Sequence, residues 1–181
     1  MNIKKYISAL ESLNACQEAI EWSKQFKTSQ EAWEACDRGD WMAWLIGKHA
    51  GEPWSGKRKT LTKITCKFAR LAWDKLPQKS KDCIELFERW ANGECIPIDD
   101  LKKSRRAAYL AAAAYDAAAY ADAAAYVDAA AYANDAAAYD ADAAAAYAAA
   151  YAADKGSTLS KCAGVVREFY PDIDAVLERI E

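Results

Sequence analysis

Apolar residues recur three and four positions apart along most of this chain, which is the spacing of an amphipathic α-helix. The first such segment predicts one helix that runs from Tyr6 to Ile20. Later segments have apolar residues at the same spacing: Trp33 and Cys36; Trp41, Trp44 and Leu45; Leu61, Ile64, Phe68 and Leu71; Cys83, Ile84, Phe87 and Trp90; Cys162, Val165, Val166 and Phe169. No strand pattern of comparable length is present, so the sequence predicts an all-α protein.

Capping and helix-breaking residues predict where several of these helices begin and end. Thr28 and Glu31 have the spacing of a capping box, which would start the second helix. Gly39 is predicted to end that helix, and Asp40 is predicted to cap the next one. Pro77 cannot continue a helix that starts before it, so it is predicted to stop the segment around Phe68.

Residues 107–153 have an unusually simple composition, with thirty Ala, eight Tyr and six Asp and with neither Gly nor Pro. Ala has the highest helix propensity of all residues, so this tract is predicted to be helical. One straight helix of this length would extend about 70 Å, which exceeds the size of a compact domain. We therefore expect a break near Asn134, and one protruding helix is the alternative.

Together these segments predict a single-domain bundle of about six to eight helices over residues 1–181. Residues 1–98 would form Trp-rich helices. Residues 99–155 would form the Ala/Tyr/Asp-rich tract as one long or broken helix, and residues 157–181 would form the C-terminal helices.

The net charge of −3 is divided unevenly along the chain. Residues 1–106 carry 20 basic and 15 acidic side chains, whereas residues 107–181 carry 4 and 12. The two parts could attract each other within one fold, or they could present a basic and an acidic face to partners.

Cysteine and histidine usage argues against a metal site and against catalysis. The six cysteines include no closely spaced pair, and His49 is the single histidine of the chain. We therefore expect no metal, no other cofactor and no enzymatic activity. The N-terminal residues lack the apolar core of a signal peptide, and no segment has the pattern of a membrane span. We expect a cytoplasmic protein with reduced thiols and no membrane contact.

The first candidate site is a charged corner that is flanked by tryptophans. Arg38, Asp40, Trp41 and Trp44 lie within a few residues of one another, and Trp and Arg are common anchors of binding surfaces. They could line a recognition pocket. The alternative is that the tryptophans only fill the core.

The second candidate site is basic. Lys57, Arg58 and Arg70 belong to one run of cations, and Arg105 and Arg106 belong to another near the start of the Ala-rich tract. Such groups could hold a phosphate or a nucleotide. They could equally be solvated faces of helices.

The third candidate site is the Ala-rich tract, whose tyrosines and aspartates could form a contact face for a basic or protein partner. The residues concerned are Tyr109, Tyr115, Tyr120, Tyr126, Asp116 and Asp122. The aspartates could also mimic nucleic-acid phosphates, or they could simply keep an apolar helix soluble. Direct binding of nucleic acid is not expected of an acidic tract, and self-association through Ala/Tyr helices is a further alternative.

Four blocks of this chain resemble a known family. Residues 16–22 begin with Cys-Gln-Glu-Ala and end with Trp, and residues 33–45 read Trp-Glu-Ala-Cys-Asp-Arg-Gly-Asp-Trp-Met-Ala-Trp-Leu. The Ala/Tyr tract and the Leu-x-x-Cys-Ala block of residues 159–171 follow. This pattern resembles a family of immunity proteins that is associated with bacterial polymorphic toxin systems and is also present in phage genomes. Members often mix Arg into the tract, whereas Asp is the only charged residue of the tract in this chain.

The resemblance implies a non-catalytic binding protein that neutralises a toxin or a defence factor, as an immunity or phage counter-defence protein would. Blocking of a protein partner is the first mechanism that we expect. The alternative is sequestration of a small anionic nucleotide that acts as an immune signal. A second alternative is an acidic decoy for a nucleic-acid-binding protein.

Overall fold

A computed structural model describes residues 1–52, 55–113 and 155–177 of the 181-residue chain. These residues form helices and the loops that join them, which confirms the predicted all-α class. The α-helices are α1 (Ile3–Ser12), α2 (Gln17–Ser23), α3 (Ser29–Ala35), α4 (Gly39–Lys48), α5 (Gly56–Arg70), α6 (Gln78–Ala91), α7 (Ile98–Ala113), α8 (Lys155–Phe169) and α9 (Asp174–Leu177). A 3-10 helix, Trp73–Lys75, lies between α5 and α6. No helix in the described ranges combines the length and the apolar character that a membrane crossing requires.

The helix predicted from Tyr6 to Ile20 is divided in two, so that prediction was wrong in its length. α1 ends at Ser12, and Asn14 has a left-handed φ of 58°, which cannot continue a right-handed helix. The apolar spacing does not reveal this break, because Leu10 of α1 and Ile20 of α2 are both buried in the same core.

Thr28 caps α3 as predicted, whereas Glu31 and Gly39 depart from the prediction. The backbone N–H of Glu31 donates to Oγ1 of Thr28 over 3.1 Å at the start of α3. The Glu31 carboxylate accepts from the backbone N–H of Lys27 over 2.9 Å and not from that of Thr28. α3 already ends at Ala35, and Gly39 is the first residue of α4 rather than the end of α3. Asp40 lies in the first turn of α4 and is not its N-cap. Its carboxylate accepts hydrogen bonds from the Arg38 side chain.

Two buried clusters make up the described core, and α5 contributes to both. Leu61, Ile64 and Phe68 of α5 pack into a cluster that α1 to α4, α8 and α9 share. Cys66 and Ala69, on another face of α5, pack into a second cluster with α6 and α7. α5 therefore connects the packing of the N-terminal helices with that of α6 and α7.

α8 closes the C-terminal end of α3. Nη1 of Arg167 donates to the backbone carbonyl of Cys36 over 2.7 Å, and Nε1 of Trp33 donates to the carbonyl of Tyr170 over 2.8 Å. A cation at the end of a helix satisfies carbonyls that have no partner within the helix and interacts favourably with its dipole. These contacts hold the α3–α4 corner against the C-terminal helices.

Candidate binding cavity

A cavity of about 440 Å³ lies among α1, α2, α3 and α4. Its volume falls within the range of about 300–1,000 Å³ that is typical of ligand pockets. We call it the tryptophan cavity. Among the described residues, those that line it are Tyr6, Leu10, Asn14, Ala15, Cys16, Glu18, Ala19, Trp22, Ser23, Ala32, Trp33, Cys36, Arg38, Asp40, Trp41, Met42, Trp44 and Leu45. The lining runs from fully buried residues such as Trp33 to exposed ones such as Glu18.

Three half-buried tryptophans give the cavity its aromatic character: Trp22 from α2, and Trp41 and Trp44 from α4. The ring centroids of Trp22 and Trp41 are 5.9 Å apart, with the rings close to edge-to-face. This geometry is the favourable one for aromatic pairs. Phe26 supports Trp22 from a centroid distance of 4.7 Å. The rings of Trp22 and Trp41 are therefore held in place by neighbouring aromatic side chains.

Arg38 contacts two carboxylates and an aromatic ring. Its Nε donates to both carboxylate oxygens of Asp40 over 2.9 and 3.1 Å, and Nη2 lies 2.5 Å from Oδ2. These hydrogen bonds raise the pKa of Arg38. Nη1 lies 3.5 Å from the carboxylate of Glu18, and Cζ lies 4.3 Å from the centroid of the Trp41 ring. Arg38 therefore holds Trp41 in position, and its donors already point at carboxylates.

The charge of the lining follows from these contacts. Within the described chain, the charged residues that line the cavity are Glu18, Arg38 and Asp40, which gives a formal charge of −1. A phosphate entering the cavity would meet two carboxylates and an arginine that is already paired. The charges of the lining residues therefore favour neutral or cationic groups over anions.

Cys36 lines the inner part of the cavity and is buried. The pKa of its thiol is raised to about 11, mainly by burial and also by the nearby carboxylates of Asp37 and Asp40. The thiol is therefore protonated near neutral pH, and only the thiolate is a good nucleophile or metal ligand. The described residues contain no cluster of His, Cys, Asp and Glu that could hold a metal ion.

The structure brings together Arg38, Asp40, Trp41 and Trp44, all of which line the tryptophan cavity. It does not bring the basic candidates to them. Arg58 is fully buried, and its Nη2 donates to the carbonyl of Gly51 over 2.8 Å, which is a structural contact.

Arg70 links two helices rather than forming an anion site. Its Nε and Nη2 each lie 2.6 Å from a carboxylate oxygen of Glu88 on α6, and Cζ lies 4.2 Å from the centroid of the Trp73 ring. Hydrogen bonding to Glu88 raises the pKa of Arg70.

The remaining candidates lie elsewhere. Lys57 borders a small recess beside His49. The pKa of His49 is lowered mainly by burial and also by the positive charge of Lys57. Arg105 and Arg106 are exposed on α7. Tyr109 lies in α7. The other tract candidates, Tyr115, Tyr120, Tyr126, Asp116 and Asp122, and the expected break near Asn134 lie outside the described residues.

Trp22 and Glu18 belong to the cavity but were not predicted as site residues. A signal for them was present, because they are four residues apart and so share one face of a helix. Both also fall in the 16–22 block, which resembles the immunity-protein family. What the sequence could not supply was the packing of α2 against α4.

Comparisons with protein-family models, with curated proteins and with solved structures find no match to this chain. Membership of the immunity-protein family therefore stays a prediction from the sequence blocks.

Proposed function

We propose that this protein is a non-catalytic binding protein that neutralises a toxin or defence protein by direct contact in the cytoplasm. The observation that carries this proposal is the tryptophan cavity, in which Trp22, Trp41 and Trp44 stand around a recess of about 440 Å³. Tryptophan and arginine are enriched among the residues that dominate binding energy at protein interfaces. A preformed pocket of this kind suits a side chain that anchors a partner.

The arrangement of the family-like blocks supports the same proposal. Residues 16–22 and 33–45 both contribute to the lining of the cavity. Arg167 and Tyr170, in the 159–171 block, form hydrogen bonds with the backbone and side chain of Trp33. Three of the four blocks thus surround or brace one site, as expected if that site performs a shared function.

Sequestration of an anionic nucleotide is the second candidate. The cavity volume and the tryptophan rings would suit a stacked base. The phosphates, however, would find Arg38 already bound to Asp40 and would lie near Glu18. Because Lys57, Arg58, Arg70, Arg105 and Arg106 do not line this cavity, we place a protein partner first.

The proposal is tested by protection of bacterial cells. Cells that express this chain are challenged with a panel of toxin domains, and survival is counted. Cells that also carry nucleotide-signalling or other defence systems are infected with phage, and neutralisation of the defence is read as an increase in plaques. We expect protection against one protein target. We also expect Trp41→Ala to weaken binding of that purified target by about 30-fold or more in calorimetry, which is the effect of losing an anchor worth about 2 kcal/mol.

A matched control is available in Trp73→Ala. Trp73 also carries an arginine over its ring, with Arg70 at 4.2 Å, but it does not line the cavity. Its removal should leave protection unchanged. Equal protection by folded Trp41→Ala and by the unchanged chain would refute the role of the cavity. A rise in melting temperature with cyclic di- or trinucleotides, and with no protein target, would support sequestration instead.

A further inference from the structure

The aromatic rings of the tryptophan cavity already attract cations of this chain. The guanidinium carbon of Arg38 lies 4.3 Å from the centroid of Trp41, and Nζ of Lys48 lies 5.5 Å from that of Trp44. A ring face is electron-rich and attracts a positive group within about 6 Å. Trp22, in contrast, has aromatic neighbours in Phe26 and Trp41.

Glu18 adds a negative group at the exposed part of the lining. Its side chain is 72% exposed, and its contact with Arg38 is long, at 3.5 Å. Asp40 satisfies the same arginine through three shorter contacts. A carboxylate can accept about four hydrogen bonds. Glu18 therefore has the capacity to accept a hydrogen bond from a cation that enters beside Trp22.

Building on the proposed function, we infer that the tryptophan cavity binds an aromatic side chain of the partner protein with a positive charge next to it. The aromatic ring packs among Trp22, Trp41 and Trp44, and the adjacent Lys or Arg of the partner pairs with Glu18. The −1 charge of the lining matches this group in charge, and a cavity of about 440 Å³ lined by three tryptophans has room for an aromatic side chain.

Three small probes that share the same aromatic ring system test the inference directly. Tryptamine, tryptophol and indole-3-propionate share an indole ring and a two-carbon spacer, and they end in an ammonium, a hydroxyl and a carboxylate. Their dissociation constants for the full chain are measured by calorimetry at low salt. We expect tryptamine to bind about tenfold more tightly than indole-3-propionate, with tryptophol between them, since the exposed carboxylate attracts one probe and repels the other.

Two substitutions separate the contribution of charge from that of the ring. Glu18→Gln keeps the size of the side chain but removes its charge, so it should reduce the tenfold preference to about twofold while tryptophol binding stays unchanged. Trp41→Leu should weaken all three probes by about tenfold or more. Trp73→Leu serves as a control outside the lining and should keep the order of the three probes.

The outcomes distinguish this inference from the proposed function. Equal binding of the three probes, tighter binding of indole-3-propionate, or an unchanged preference in Glu18→Gln would overturn the choice of a cationic aromatic group. The proposed function would survive that result if Trp41→Ala still abolished protection against the protein target. If instead the probes behave as expected but Trp41→Ala protects fully, the cavity binds this chemistry but does not make the contact that neutralises the target. Absence of protection against every target would contradict the proposed function itself.

Discussion

Gly39 at the start of α4 packs directly against Cys162 of α8, at a point where no side chain fits. A Cβ atom on Gly39 would collide with the Cβ of Cys162 and would lie 2.5 Å from the backbone nitrogen of Ala163. Cys162 and Ala163 are both fully buried. Glycine is therefore required here for the close approach of two helices, and not for a turn. This crossing fixes the start of α4, and with it Asp40 and Trp41 of the cavity.

Substitution of Gly39 by alanine should destabilise the protein. The added methyl group meets backbone atoms that cannot move aside, and overpacking of this kind costs about 1–3 kcal/mol or more. Urea unfolding measures the loss. Gly164→Ala is the matched control, because a Cβ there meets nothing within 4 Å and α8 should gain up to about 1 kcal/mol of helix propensity. Equal stability of the two variants would contradict the close packing of α4 against α8 at Gly39.

The ion pair of Arg38 with Asp40 should matter more for stability than that of Arg70 with Glu88. Asp40 has a side chain only 7% exposed, whereas that of Glu88 is 25% exposed. Arg38→Gln leaves a buried carboxylate with poorer partners and should cost about 1–3 kcal/mol. Arg70→Gln should cost less than about 1 kcal/mol. Urea unfolding of both variants provides the comparison, and equal losses would contradict it.

A second substitution checks that the loss in Arg38→Gln comes from the pair. Adding Asp40→Asn removes the buried charge. The loss in free energy of unfolding should therefore be smaller in the double variant than the sum of the losses in the two single variants. Simple additivity would mean that Arg38 stabilises the fold mainly through its stacking on Trp41.

Much of the fold could be predicted because helical spacing is a local property of the sequence. The all-α class and the Thr28 cap follow from short-range patterns, and both are confirmed. The break at Asn14 could not be predicted, because Leu10 and Ile20 keep the same apolar spacing while they belong to two helices. The role of Gly39 depends on α8, which is more than 100 residues away along the chain.

The candidate site, like the fold, could be predicted from the sequence only in part. The sequence could predict that one site contains Arg38, Asp40, Trp41 and Trp44, because these residues lie close together along the chain. The sequence could not show that Arg58 is buried and not exposed on the surface, because its burial depends on how α5 packs.

Thiol accessibility gives an independent check of the buried core. Cys16 and Cys95 are exposed, whereas Cys36, Cys66, Cys83 and Cys162 are buried. Iodoacetamide at pH 8 should therefore label the first two in the folded protein and all six in urea, as read by mass spectrometry of the peptides. Rapid labelling of Cys36 in the folded protein would show that the cavity is open to a greater depth than described. Because Cys16 lines the cavity, a bound probe should also slow its labelling.

Alkaline pH should destabilise the fold through its buried thiols. Burial raises the pKa of Cys36 to about 11 and that of Cys162 to about 12, from an ordinary value of 9.0. Well below pH 9 the thiols are protonated in both states and have no effect. Between about pH 9 and 12 they ionise more readily in the unfolded chain, so the unfolded state binds fewer protons and the free energy of unfolding falls. Each thiol should contribute a slope approaching about 1.4 kcal/mol per pH unit.

The contribution of the thiols is isolated by two double variants. Urea midpoints from pH 8 to 11 should fall less steeply in Cys36→Ala/Cys162→Ala than in the unchanged chain. Cys16→Ala/Cys95→Ala removes two exposed thiols and should keep the original slope. Burial also raises the pKa of Tyr6, so part of the alkaline loss should remain in the first variant. If both double variants follow the unchanged chain, Cys36 and Cys162 ionise as easily in the folded state as in the unfolded one, and their burial beside the tryptophan cavity and at the α4–α8 crossing is incorrect.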